Sequence, residues 1–86
     1  MRKLTMKDLM NVCGTATADY IVERVRIKGG TFTDSDNYGI VLAKNASDNY
    51  VTWQFHLKDN GKPDFYWGHY FGENLEAAQM DYDSRT

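Results

Sequence analysis

From Val51 to Leu57 apolar and polar side chains alternate without a break. Val51, Trp53, Phe55 and Leu57 share one parity, and Tyr50, Thr52, Gln54 and His56 the other. A strict period of two is the mark of a strand with one buried face. After Asp59-Asn60-Gly61 the pattern resumes from Asp64 to Phe71, with Phe65, Trp67, His69 and Phe71 opposed to Tyr66, Gly68 and Tyr70. Upstream, Tyr20 to Lys28 sets Ile21, Val25 and Ile27 against Tyr20, Val22, Arg24, Arg26 and Lys28. Glu23 falls on the apolar side of that strand, so the side is not sealed along its whole length. Gly29-Gly30 ends the strand, Thr31 to Thr33 reads as a short extension, and Asp34 to Asn37 has turn chemistry. A further strand, Tyr38 to Lys44, centres on Ile40, Val41 and Leu42, and Asn45 to Asn49 is the next turn.

At both ends of the chain the spacing changes to three and four, the helical period. Thr5 is an N-cap with Asp8 three residues on, Leu4 and Leu9 suit a hydrophobic staple, and Gly14 suits a left-handed stop. Met6, Leu9, Met10 and Cys13 form the apolar face of this first helix. The second runs from Asn74 to Arg85 with Leu75, Ala78 and Tyr82 as its stripe. Glu73 and Glu76 sit at its positive end and Arg85 at its negative end, as the macrodipole favours. The predicted order is α-β-β-β-β-α, one α+β domain over residues 1–86. Its four-stranded antiparallel sheet would carry both helices on one face.

Hairpin register decides which side chains that face holds. A two-residue Asn60-Gly61 turn would pair Asp59 with Lys62 and set Trp53 opposite Gly68. A three-residue loop with Gly61 left-handed pairs Lys58 with Lys62, Phe55 with Phe65 and Trp53 with Trp67. The second register gathers the large rings, each worth roughly 1.5–3 kcal/mol when buried, and is the one expected. Trp53, Phe55, Phe65 and Trp67 then lie beneath the helices. Tyr50, Thr52, Gln54, His56, Tyr66 and Tyr70 face solvent, joined by Arg24, Arg26 and Lys28 if the first strand follows the same rule.

Composition narrows the function classes. Twelve aromatics (2 Trp, 6 Tyr, 4 Phe) among 86 residues supply a core without disulfides, and the single Cys13 excludes a disulfide framework or a CxxC metal site. A formal charge of −2 argues against general attraction to phosphate backbones. Residues 1–45 hold seven Lys/Arg and five Asp/Glu, and residues 46–86 three and seven, so the aromatic half is the acidic half. Met1-Arg2-Lys3 begins like a signal peptide, but no apolar stretch follows, and no run approaches the ~18 residues of a membrane span. A cytoplasmic protein is expected. His56 and His69 fall on opposite faces and Cys13 is expected in the core, so no nucleophile pair forms. Asp34, Asp36 and Asn37 lack the Gly and Glu of a calcium loop. Gly29-Gly30 is no phosphate cradle. The expectation is a non-enzymatic protein with no metal and no cofactor.

Tyr50-Val51-Thr52-Trp53-Gln54-Phe55, then Tyr66-Trp67-Gly68-His69-Tyr70-Phe71, then Glu76-Ala77-Ala78, Asp81-Tyr82 and Arg85 resemble small accessory proteins of bacterial phages and conjugative elements. The resemblance covers about the last 40 residues. It implies a mobile-element protein, among which inhibitors of host defence, anti-CRISPR or anti-restriction, recur. The reading is therefore a binder that occludes a surface on a host-defence complex. Its contacts would be Gln54, His56, Tyr66 and Tyr70 on the sheet, where tyrosines anchor interfaces well, and Glu73, Glu76, Asp81 and Asp83 on the acidic helix. The alternative is a single-stranded nucleic-acid or regulatory domain that stacks bases on the tyrosines beside Arg24, Arg26 and Lys28. Tyr38 to Ala43 carries no charge, so a homodimer through it is allowed if it is an edge strand.

Overall fold

The computed structural model describes residues 4–17, 19–27 and 38–85. Helix α1 (Met6–Val12) starts with the expected capping box: the Asp8 amide donates to Thr5 Oγ1 at 3.3 Å, and the Thr5 amide donates to the Asp8 carboxylate at 2.9 Å. Leu4 and Leu9 are buried on either side of the cap. Gly14 takes φ +87°, and its amide donates to the Val22 carbonyl at 2.8 Å, so the helix stops against the sheet. The inward face differs from the expected one. Leu9 and Val12 point into the core, whereas Met6, Met10 and Cys13 are exposed. The clasp between Leu4 and Leu9 sets the rotation of this short helix, and the two methionines lie off it.

Five antiparallel strands follow one another across the sheet: β1 (Ala16–Thr17), β2 (Tyr20–Ile27), β3 (Gly39–Asn45), β4 (Tyr50–Leu57) and β5 (Pro63–Gly72). Helix α2 (Leu75–Ser84) closes the order. The four long strands and two helices are the α+β layout that the hydrophobic pattern predicts, and β1 adds a two-residue rung that it did not. The expectations for Met1 to Lys3, for Lys28, and for the Gly29 to Asn37 connection lie outside the described residues. The Asp59-Asn60-Gly61 loop has the expected three-residue form. Gly61 takes φ +83°, and the Lys58 amide donates to the Lys62 carbonyl at 2.9 Å. Phe55 pairs with Phe65 as that register requires.

Three register shifts break the period of two. The β2–β3 ladder shifts between Val22 and Arg24, leaving Glu23 as the extra residue. Tyr20 and Val22 thereby join Val25 and Ile27 on one face, and Ile21 moves to the Arg24 and Arg26 side. That explains the misplaced Glu23. The β4–β5 ladder shifts between Thr52 and Gln54, where Trp67 and Gly68 together oppose the single Trp53, and again between Tyr50 and Val51. His69 pairs with Thr52 and Tyr70 with Val51, so both switch faces relative to simple alternation.

The helices lie on opposite faces of the sheet, not on one. Leu9 and Val12 of α1 pack with Val22, Ile27, Val41, Ala43, Val51, Trp53, Phe55 and Leu57. On the other face Ala78 and Tyr82 of α2 pack on Ile40 and Leu42, flanked by Tyr50 and Phe71. The reason lies in β3, whose Ile40, Val41, Leu42 and Ala43 are buried on alternate sides, so each face needs a cover. As the middle strand β3 has both edges paired, and a dimer built by strand addition to it is excluded.

Candidate binding surface

Helix α2 docks through its carbonyl end. Asn74 caps its start by accepting from the Ala77 amide at 3.0 Å. At the other end Arg26, reaching from β2, donates to the Tyr82 carbonyl from Nε at 3.0 Å and from Nη2 at 2.6 Å, and also to the Arg85 carbonyl. A cation on the last carbonyls of a helix satisfies groups with no partner inside it and complements the dipole. The same guanidinium lies over the Tyr82 ring, 5.4 Å from its centroid.

Beside it, one oxygen of Asp81 accepts from the buried Thr52 hydroxyl and lies 3.0 Å from His69 Nδ1. Arg85 donates to the Thr52 carbonyl at 3.0 Å and Oγ1 at 3.1 Å, and through Nη2 to the Trp67 carbonyl at 2.6 Å. Burial alone would push the Asp81 carboxyl up. The Thr52 bond, His69 and the Arg85 charge outweigh it and hold the group below the usual carboxylate range. Burial pulls Arg85 below its ordinary value, against the attraction of Asp81. Thr52 gives its proton to a carboxylate and accepts from a guanidinium, so it is a fixed strut, not an activated nucleophile.

The strut ends at a strained residue. Trp67 takes φ +56°, the left-handed region that glycine adopts without cost, yet its neighbour Gly68 does not occupy it. A Cβ on Gly68 would stand 2.7 Å from Trp53 Nε1 and 2.9 Å from Tyr70 Cε2, so this glycine is needed for close approach over the Trp53 ring. The positive φ is left to Trp67, at a cost of about 1–2 kcal/mol. Its side chain then leaves the core and is 68% exposed, with its ring 5.1 Å from that of Tyr66 at 84°. The expected burial of Trp67 opposite Trp53 is therefore wrong. Trp53 is buried among Tyr20, Phe65 and Tyr70 instead.

The sequence-predicted contact residues separate into groups. Gln54, His56 and Tyr66 do share a face: Gln54 Nε2 donates to the Tyr66 hydroxyl at 3.4 Å, and His56 Nδ1 lies 3.4 Å from the same oxygen. Asp64 joins them at 3.8 Å from His56 Nε2. Burial pushes the Tyr66 hydroxyl above its ordinary value, offset by the Gln54 bond and reinforced by Tyr38 and Asp64. The face is not open as expected, because α2 lies on it. Thr52 is 0% and Gln54 3% exposed. Tyr70 is exposed but on the opposite face, flipped by the bulge. Glu73, in the turn before α2, and Glu76 and Asp83 on the helix are exposed, while Asp81 belongs to the strut. Of the basic set, Arg24 borders an open groove of about 940 Å³ between β2 and α2, and Arg26 is spent on helix carbonyls.

Sequence reasoning missed Trp67 as a surface residue. A glycine inside an alternating strand is the signal that could have found it, since it marks a bulge or a close backbone approach. Cys13 is exposed, with its thiol 3.5 Å from the Glu23 carbonyl, not part of the core as expected. Among the described residues no group of three or more His, Cys, Asp or Glu is placed to hold a metal, and no helix is long and apolar enough to cross a membrane. Comparisons with protein-family models, curated proteins and solved structures find no match to this chain.

Proposed function

We propose that this chain is a non-enzymatic binding protein that docks on a protein partner through the edge of β5, with Trp67 as its anchor. One observation carries the reading: a tryptophan 68% exposed, held at a left-handed φ by an arginine strut. Tryptophan dominates interface hot spots, and backbone strain collects where function requires it. A strained bulge that merely exposed an indole would lower stability with no return. Tyr66 buttresses the ring. The biological role that fits such a module is occlusion of a surface on a host-defence complex, anti-CRISPR or anti-restriction in type, in keeping with the mobile-element resemblance.

The test is protection of a targeted phage in a host that carries one such defence system. The chain should raise plaquing efficiency, and Trp67→Ala should abolish the effect while leaving the thermal melt close to the parent's. Full protection by Trp67→Ala at equal expression would refute docking through this surface. Loss of protection together with loss of fold would refute the separation of surface from core.

A further inference from the structure

We infer that the Trp67 surface takes a basic segment of its protein partner, seating an arginine or lysine side chain against the Tyr66–Trp67 rings. This deepens the docking reading and rests on it. Three observations converge.

The rings stand nearly perpendicular, 5.1 Å apart, and the indole is largely exposed, so an electron-rich aromatic surface is open to a cation. The half of the chain that carries the rings is acidic in sum, and Asp64 acts electrostatically on Tyr66, while Lys58 and Lys62 face each other at the hairpin loop beyond it. Residues 46–86, which form β4, β5 and α2, carry seven Asp/Glu against three Lys/Arg. One of those three, Arg85, is already consumed by the Thr52 and Trp67 carbonyls and balanced by Asp81. Asp64 is half-exposed on the strand that bears the rings and is held only loosely, 3.8 Å from His56.

The molecule also carries its own example of the chemistry. Arg26 lies over the Tyr82 ring while its N–H groups reach backbone carbonyls. Strand β5 ends the sheet order, and although the Trp67 carbonyl is held by Arg85, the rest of its outer edge sets backbone beside the two rings for an incoming guanidinium. An acidic or purely apolar segment would bring no cation to the rings or to Asp64.

The experiment is an array of short peptides of varied charge, probed with the wild-type chain, Trp67→Ala and Asp64→Asn. Each variant is first checked by its far-UV melt. Peptides whose binding depends on Trp67 should be rich in Arg or Lys, and should weaken by a factor of about ten or more in Trp67→Ala and less in Asp64→Asn. In the wild-type chain an Arg peptide should move the indole N–H resonance of Trp67, and its glutamate counterpart should not; this readout stands even if a variant misfolds. Trp67-dependent peptides that prove acidic or apolar would overturn the basic-partner inference and leave Trp67 as the anchor. Basic peptides held equally by Trp67→Ala would overturn it as bulk charge attraction. An array with no Trp67-dependent peptide would overturn both readings.

Discussion

Replacing Trp67 by alanine and by glycine separates backbone strain from side-chain contact, because both variants lose the indole and only glycine relieves the φ of +56°. In an ordinary strand glycine is worse than alanine by roughly 0.5–1 kcal/mol. Here alanine keeps a left-handed penalty of about 1–2 kcal/mol that glycine does not have. The order should therefore invert, with Trp67→Gly more stable than Trp67→Ala by around 0.5–1 kcal/mol. The lost indole costs both variants equally: a T-shaped contact with Tyr66 is worth about 0.5–1.5 kcal/mol, and the burial it forfeits is small at 68% exposure. Urea unfolding followed by far-UV dichroism is the assay, with an unchanged m-value as the sign that both unfold from the same state. In a domain of this size the inversion corresponds to a few degrees in Tm. Alanine equal to or above glycine would show that the bulge is unstrained, and the argument that strain is retained for docking would fall with it.

Three further outcomes follow from the same geometry. Arg85→Ala should cost about 1–3 kcal/mol by leaving the Thr52 and Trp67 carbonyls short of a donor, and hydrogen exchange at Tyr66 to His69 should quicken; unchanged exchange would exclude the strut. Asp81 is held below its unfolded value, so the stability it adds is complete above the ordinary carboxylate range of about 4 and lost as pH falls through its depressed folded pKa; Asp81→Asn should flatten the stability curve there, and an unaltered slope would refute this. Phe55→Ala, in the core, should cost about 3–5 kcal/mol, enough to unfold much of the population, whereas Trp67→Ala should cost far less; similar melts for the two would reverse their assigned places.

Local chemistry was legible in the sequence, and tertiary placement was not. Thr5 with Asp8, Gly14, and Lys58 paired across Gly61 are short-range relations, and each appears as its residue types require. The facing of β5 failed because alternation was carried through Gly68. One inserted residue reverses the parity up to the next shift, sending His69 to the α2 side and Tyr70 away from it. Glu23 announced the matching bulge in β2 by its polarity alone. The stripe of α2 was readable at Ala78 and Tyr82, but the face it covers was not. That choice is made by Ile40 and Leu42 needing cover, and by Arg26, whose bond to Tyr82 spans 56 residues and leaves no local trace.

Each strand lies beside its neighbour in sequence, so the ladders can zip between consecutive strands, the widest gap to close being that between Ile27 and Gly39. The strut behind Trp67 is different in kind. It joins Arg85 to Thr52 across 33 residues and to Trp67 across 18, and exists only when α2 is seated. Folding should therefore finish at the docking surface, with the sheet complete before the bulge is locked. A brief lifting of α2 from its seat would free the Trp67 carbonyl and disarm the anchor while the hairpins beneath it stay intact. Hydrogen exchange should then report two opening events, a shallow one at α2 and the bulge and a deep one at β3.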